Sequence, residues 1–220
     1  MVTRPPEEIA TLIRDDLIPD AERVVTAFLK QARVMMIADV KENFARSSDP
    51  DGRPWAPLRF PRPRGGSKPL LDTGQLRASI TGASPEFREE EGPNYVTIGT
   101  TRPGANLMQQ GGTVLPRKGK ALAIPLTKDA VRSGGPRRFS RPLFLLWRRG
   151  ANSGVLAEKT QGGRKKKAGL IAHFALVRKV VVPARPFIGF GRRLIDKLDA
   201  LARRTVREMF RRGARRTGGE

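Results

Sequence analysis

The residues able to do chemistry are few, and most of them stand in the wrong company. The single histidine, His173, lies in the middle of an apolar run. A Ser-His-Asp triad needs an imidazole held between a nucleophile and an orienting carboxylate. It would have to be built around His173 alone, and catalysis by it is not expected. Asp72-Thr73-Gly74 has the form of an aspartic-protease loop. That chemistry needs two carboxylates sharing one proton, and here a Leu76-Arg77 helical pattern follows instead of flanking apolar strands. The chain contains no cysteine, so thiolate chemistry, disulfides and Cys-ligated metal are excluded. With one histidine a zinc site is not expected. The run Glu89-Glu90-Glu91, next to Gly92 and Pro93, reads as a solvated turn rather than a cation cage. Asp49, Asp51 and Gly52 begin like a calcium loop but lack the later oxygen ligands and closing Glu; they predict a turn. Gly162 to Lys167 lacks the order of glycines, Lys and Ser/Thr that wraps a phosphate. The expectation is a protein without catalytic residues, cofactor or metal.

Charge carries the stronger signal. The 43 Lys and Arg against 21 Asp and Glu leave a net charge of +22, more than solubility requires, and imply an anionic partner. Residues 141–220 hold 21 basic and 5 acidic side chains, so the positive field lies toward the C-terminal end. Such a surface neutralises phosphates without needing a particular fold. Aromatic residues make up only 6% and do not interleave with the basic runs, so base stacking is poorly supported and any DNA contact should be blind to sequence. Candidates to face a DNA path are Arg164, Lys165, Lys166 and Lys167 in one loop, and Arg203, Arg204 and Arg207 on a helix. No stretch is apolar for the ~20 residues that span a bilayer, and no membrane partner is expected.

The elements around these residues follow from periodicity. Pro5, Pro6, Glu7 and Glu8 suit a helix start, giving an N-terminal helical arm over 1–19 that Pro19 ends. Asp20 can cap a longer helix in which Val25, Phe28, Leu29, Ala32, Met36 and Val40 recur at three-to-four spacing. Residues 47–70 are rich in Pro and Gly and read as an extended loop anchored by Trp55, Leu58 and Phe60. Asp72 is placed to cap a short turn carrying Leu76 and Ile80. Strands are predicted at Tyr95 to Ile98, 121–126 and 143–147, and as one run from Leu170 to Val182. Gly111 and Gly112 mark a tight turn. Residues 127–142 and 159–169 read as basic loops, Phe190 to Phe210 as an amphipathic helix, and 213–220 as a flexible tail. The whole predicts an α+β fold over residues 20–212, with a long N-terminal helix and a C-terminal helix packed on an antiparallel sheet.

Four stretches, in order, resemble the virion-morphogenesis or tail-completion family of Mu-like phages. They are Asn43-Phe44 leading to Asp49-Pro50-Asp51-Gly52-Arg53-Pro54-Trp55-Ala56-Pro57-Leu58; Leu71-Asp72-Thr73-Gly74-Gln75-Leu76-Arg77-Ala78-Ser79-Ile80; Ile98-Gly99-Thr100 through Gln109-Gln110-Gly111-Gly112-Thr113; and Val182-Pro183-Ala184-Arg185-Pro186-Phe187-Ile188-Gly189. The resemblance covers roughly residues 20–210. It implies a non-enzymatic virion protein, made in the host cytoplasm, that forms a ring of six copies in the neck. Its partners would be its own copies, a tail tube or tail terminator protein, a head-completion (stopper or connector) protein, and the phage DNA without sequence specificity. Within that resemblance Trp55, Asp72, Arg77, Arg185 and Phe187 are candidate subunit contacts, and Arg185 with Asp72 a candidate pair, since an arginine fork matches a carboxylate. The other reading is a sequence-nonspecific nucleic-acid-binding protein.

Overall fold

The computed structural model describes residues 18–58, 62–63, 66–117, 119–147, 153–160 and 169–217. The chain has an α+β fold in which a long N-terminal helix, α1 (Ile18–Arg46), contacts the C-terminal helix, α5 (Arg192–Thr217), alongside small antiparallel sheets. The described residues divide into two units: one holds those up to Trp55, Thr73–Ala105 and those from Pro186 onward; the other holds Ala56–Asp72 and Asn106–Arg185.

The helical unit is built on the α1–α5 seam. Leu29, Ala32, Val40 and Phe44 of α1 are buried, as are Leu194 and Leu201 of α5. Of the apolar stripe expected on α1, Leu29, Ala32 and Val40 are buried, Phe28 and Met36 are half-buried, and Val25 is exposed. Pro19 and Asp20 both lie within α1, in its first described turn, where a proline is tolerated because its missing N–H needs no intrahelical partner; the expected end of the arm falls on residues outside those described. A short helix, α2 (Gln75–Ala78), follows; its N-cap is Gly74 at φ 75°, not Asp72, and no side chain caps it. Ser79 and Ile80 beyond it are fully buried. A hairpin of β1 (Phe87–Glu91) and β2 (Val96–Thr100) pairs Glu90 with Thr97 and Glu91 with Val96. The acidic run is therefore strand, and the turn comes after it, where the Gly92 N–H donates to the Tyr95 carbonyl at 2.9 Å.

The later segment of the sheet unit starts within α3 (Ala105–Gln110), at Asn106. Gly111, at φ 73°, lets the chain reverse, and its N–H bonds the Leu107 carbonyl at 2.9 Å. A Cβ there would stand 2.6 Å from the backbone N of Ala184, so the close approach requires glycine. β3 (Gly112–Val114) then pairs with β8 (Val180–Val182). A second sheet has the order β4-β7-β6-β5, all antiparallel, from β4 (Leu122–Pro125), β5 (Phe144–Trp147), β6 (Ser153–Thr160) and β7 (Gly169–Val177). The expected single strand from Leu170 to Val182 is thus two strands in different sheets, parted at Arg178 and Lys179. The expected loop 127–142 contains helix α4 (Lys128–Ser133), whose N-cap Thr127 accepts from the Ala130 N–H, and a 3-10 turn at Pro136–Arg138. Thr160 and Gly169, assigned by sequence to the second basic loop, belong to β6 and β7. α5 continues through Thr217, into the stretch expected to be a flexible tail. The N-terminal arm lies outside the described residues except at its last two positions, which belong to α1.

Candidate functional site

In the helical unit the first and last of the four stretches close on one another. Phe44, Trp55 and Phe187 form an aromatic cluster, with Phe44 edge-on to Trp55 at 5.5 Å and tilted against Phe187 at 5.6 Å. Phe44 has no exposed surface. The Trp55 indole N–H donates to the Pro186 carbonyl at 2.7 Å, which satisfies the polar handle that a buried tryptophan carries. The turn between Phe44 and Trp55 is the one that Asp49, Asp51 and Gly52 predict. Asp49 Oδ1 accepts from the Arg53 N–H at 2.8 Å, Gly52 sits at φ 87°, and Ser48 bridges Pro54. Pro50, at its tip, packs so tightly on Gly191 that a Cβ would lie 2.0 Å from the Pro50 carbonyl oxygen. Trp55 and Phe187, named by sequence as subunit contacts, therefore bury their rings in the chain's own core.

Beside the cluster lies a charged tie that sequence reading missed. Asp39 and Asn43 are buried one turn apart on α1. Arg193, at the start of α5, donates to Asp39 Oδ1 at 2.6 Å, to Asn43 Oδ1 at 3.0 Å and to Glu42 Oε1 at 3.0 Å. Asn43 Nδ2 in turn donates to Asp39 Oδ2 at 3.2 Å and to the Phe187 carbonyl at 3.4 Å. The planar fork of Arg193 reads three acceptors presented at i, i+3 and i+4 on one helix face. The i, i+3, i+4 spacing of Asp39, Glu42 and Asn43 was the available signal.

In the sheet unit Arg185 is buried, and its guanidinium donates to the carbonyls of Ala56 at 2.8 Å and Pro57 at 3.2 Å. Its backbone N–H bonds the Met108 carbonyl at 2.9 Å. The proposed pairing with Asp72 is replaced by these carbonyls, and Asp72 is exposed. Burial, then the neighbouring Arg62 charge, lowers the Arg185 pKa from its usual range. Stretches one and four thus meet here too, and stretch three joins them through Met108. Stretch two is linked in the helical unit, where Arg102 donates to Gln75 Oε1 at 2.6 Å and to Glu86 at 2.7 Å. Arg77, on the same short helix, is exposed.

His173 lies in the register shift where Leu156 pairs with Phe174 and Ala157 with Ala172. Its Nε2 is 2.9 Å from Glu158 Oε2 and its Nδ1 is 2.8 Å from Thr127 Oγ1. In the tautomer that carries its proton on Nε2, the ring donates to the Glu158 carboxylate and the Thr127 hydroxyl donates to Nδ1. Phe139 packs on the ring at 4.5 Å, and Arg141 joins Glu158 at 3.2 Å to Asp129 at 2.6 Å. Both ring nitrogens are occupied and the residue is 2% exposed, so the cluster braces the α4 excursion against β6 and β7. It offers a reacting group no approach.

Of the basic candidates, Arg203, Arg204 and Arg207 are exposed along α5. Arg203 donates to Asp199 at 3.0 Å and Arg204 to Gln31 at 2.8 Å. Arg164, Lys165, Lys166 and Lys167 lie outside the described residues. Among the described residues, no helix is long and apolar enough to cross a membrane, and no group of three or more His, Cys, Asp or Glu side chains could hold a metal ion. Compared with known proteins, the chain matches no family model, no curated protein and no solved structure.

Proposed function

We propose that this chain is a structural protein of the neck of a tailed bacteriophage, completing the tail and joining it to the DNA-filled head as part of a ring around the DNA path. The observation that carries the reading is the linkage of the four resembling stretches. Phe44, Trp55 and Phe187 share one core, Arg185 clasps the Ala56 and Pro57 carbonyls, and Arg102 binds Gln75. Stretches far apart in sequence act together as structural parts, which suits a virion component with no turnover, cofactor or metal. In this reading six copies form the ring, and its neighbours are a tail tube or terminator protein and a head-completion protein. The +22 charge then faces DNA without reading its sequence. The test is electron microscopy of particles from a phage lacking this gene. Separate filled heads and tails, joined on adding purified protein, are expected; normally joined particles would refute the role.

A second reading, a sequence-nonspecific nucleic-acid-binding protein, is favoured by the exposed arginines of α5. It predicts that the isolated chain binds duplex DNA with an affinity falling steeply as salt rises.

A further inference from the structure

The larger sheet ends differently at its two edges. At one edge β4 closes on Pro125, which has no N–H to offer a further strand. At the other, β5 carries Phe144, Leu145, Leu146 and Trp147, with neither a proline nor a charge, and among the described residues no strand lies beyond it. Sheet edges are ordinarily blunted by a charge, a proline or a bulge, and β5 has none of these. Leu145 is 56% exposed and Leu146 42%. They face opposite ways, because Leu145 is in line with Leu156 and Phe174, and Leu146 with Val155 and Ala175. A strand edge with apolar side chains on both faces is a template for one more strand.

The two-faced pattern selects the occupant. A strand of ordinary alternation would set a polar residue against either Leu145 or Leu146, so the added strand must be apolar at consecutive positions. β8 (Val180–Val182) is apolar in that way, but exposed Arg178 and Lys179 border it. β5 itself meets the demand. Nucleic acid or an acidic partner finds no cation on β5, and Arg141, just before it, is already held by Asp129 at 2.6 Å and Glu158 at 3.2 Å. Two antiparallel copies related by a two-fold axis normal to the sheet must set one residue opposite itself. With Leu145 at that point, Phe144 of each copy meets Leu146 of the other. We infer that β5 is a self-pairing edge, through which two copies of this chain join their larger sheets into one continuous antiparallel sheet. A two-fold contact has no place in a cyclic ring of six, so it belongs to the chain before assembly. The inference does not rest on the neck reading: it is tested on the purified chain, and either gene-deletion outcome leaves it standing.

Sedimentation of the full-length chain, from about 1 to about 100 μM, should show a monomer–dimer equilibrium, since so short a contact supports only a weak dimer. Each copy carries +22, so added salt should tighten the pairing by screening the repulsion. Leu145→Lys and Leu146→Lys should each raise the dimer Kd at least about tenfold, with circular dichroism verifying that both variants stay folded. The chain has no cysteine, so a single introduced thiol reports its own neighbour. Leu145→Cys should oxidise to a disulfide-linked dimer at least about tenfold faster than Val181→Cys, whose position on β8 is 68% exposed. A chain that stays monomeric throughout the range would overturn the inference. So would dimers that fall apart as salt rises, as those bridged by nucleic acid or acidic contacts do. It is also overturned if Val181→Cys cross-links as fast as Leu145→Cys, or if both lysine variants associate like the wild type.

Discussion

Each unit contains a buried polar cluster, one around Arg193 and one around His173, and these two are assembled in opposite ways. In the helical unit three acceptors come from one turn and a half of α1, and a single side chain, Arg193, collects them. In the sheet unit His173 draws its partners from separate places: Thr127 before α4, Phe139 after it, and Glu158 on β6, which Arg141 joins in turn. The first cluster fastens two rigid helices at one point. The second sits on a register irregularity and fastens an excursion to a sheet. A helix presents its side chains in a fixed constellation, so one fork suffices. A bulged strand re-aims a single residue, and its neighbours must come to it.

Removing the collector should therefore do most damage in the helical unit. Arg193→Ala strands Asp39, whose side chain is 2% exposed, with Asn43 as its remaining described donor. Leaving a buried carboxylate unpaired costs about 3–5 kcal/mol. The chain's two tryptophans divide between the units, Trp55 in the helical one and Trp147 in the sheet. Urea titrations on Trp147→Phe and Trp55→Phe backgrounds can follow each unit separately. Arg193→Ala should shift the Trp55 transition by that amount and move the Trp147 transition less. Coincident shifts would mean that the units unfold as one, and the contrast drawn above would fall.

His173→Ala is the converse experiment, with a smaller expected effect. It removes two hydrogen bonds and the ring packed on Phe139, but Glu158 keeps Arg141 as a partner. A loss of about 2–3 kcal/mol follows from a partly relieved polar deletion plus a cavity. It should appear in the Trp147 signal first. A variant as stable as the wild type would mean that the α4 excursion is held by the sheet's apolar contacts alone.

The same contrast explains what could be read from the sequence. The α1–α5 seam was legible because periodicity and burial coincide along a helix, and the Asp49–Gly52 turn because turn chemistry is local. The strands β2, β4 and β5 showed as apolar runs. β1 and β6 did not: Phe87–Glu91 is mostly charged, and Ser153–Thr160 mixes Gly, Glu and Lys with its apolar residues. Each becomes a strand through pairing with a neighbour rather than through its own propensity. The register break at His173, and partners 46 and 15 residues away, leave no local trace. Trp55 and Phe187 announced themselves as anchors, but only the fold tells whether an anchor holds a partner or the chain itself. Arg185 likewise signalled a fork without saying that its acceptors are carbonyls.

The smallest effect belongs to an exposed tie, which separates the role of burial from that of pairing. Tyr95 donates to Glu90 Oε1 at 2.8 Å across the end of the β1–β2 hairpin. The hydrogen bond and then the negative charge of Glu90 raise the phenol pKa above its usual range. Because the folded value lies above the unfolded one, the stabilisation is complete below the unfolded pKa and disappears as pH rises through the folded pKa. Tyr95 is the only tyrosine, so phenolate absorbance reports it directly. Its midpoint should lie above that of the urea-unfolded chain, and Glu90→Gln should bring it down. Neither change should move the denaturation midpoint at neutral pH as Arg193→Ala does, because a partner exposed to water returns to water when its pair is lost. A Glu90→Gln shift in stability as large as that of Arg193→Ala would show that pairing alone, without burial, sets the strength of these ties.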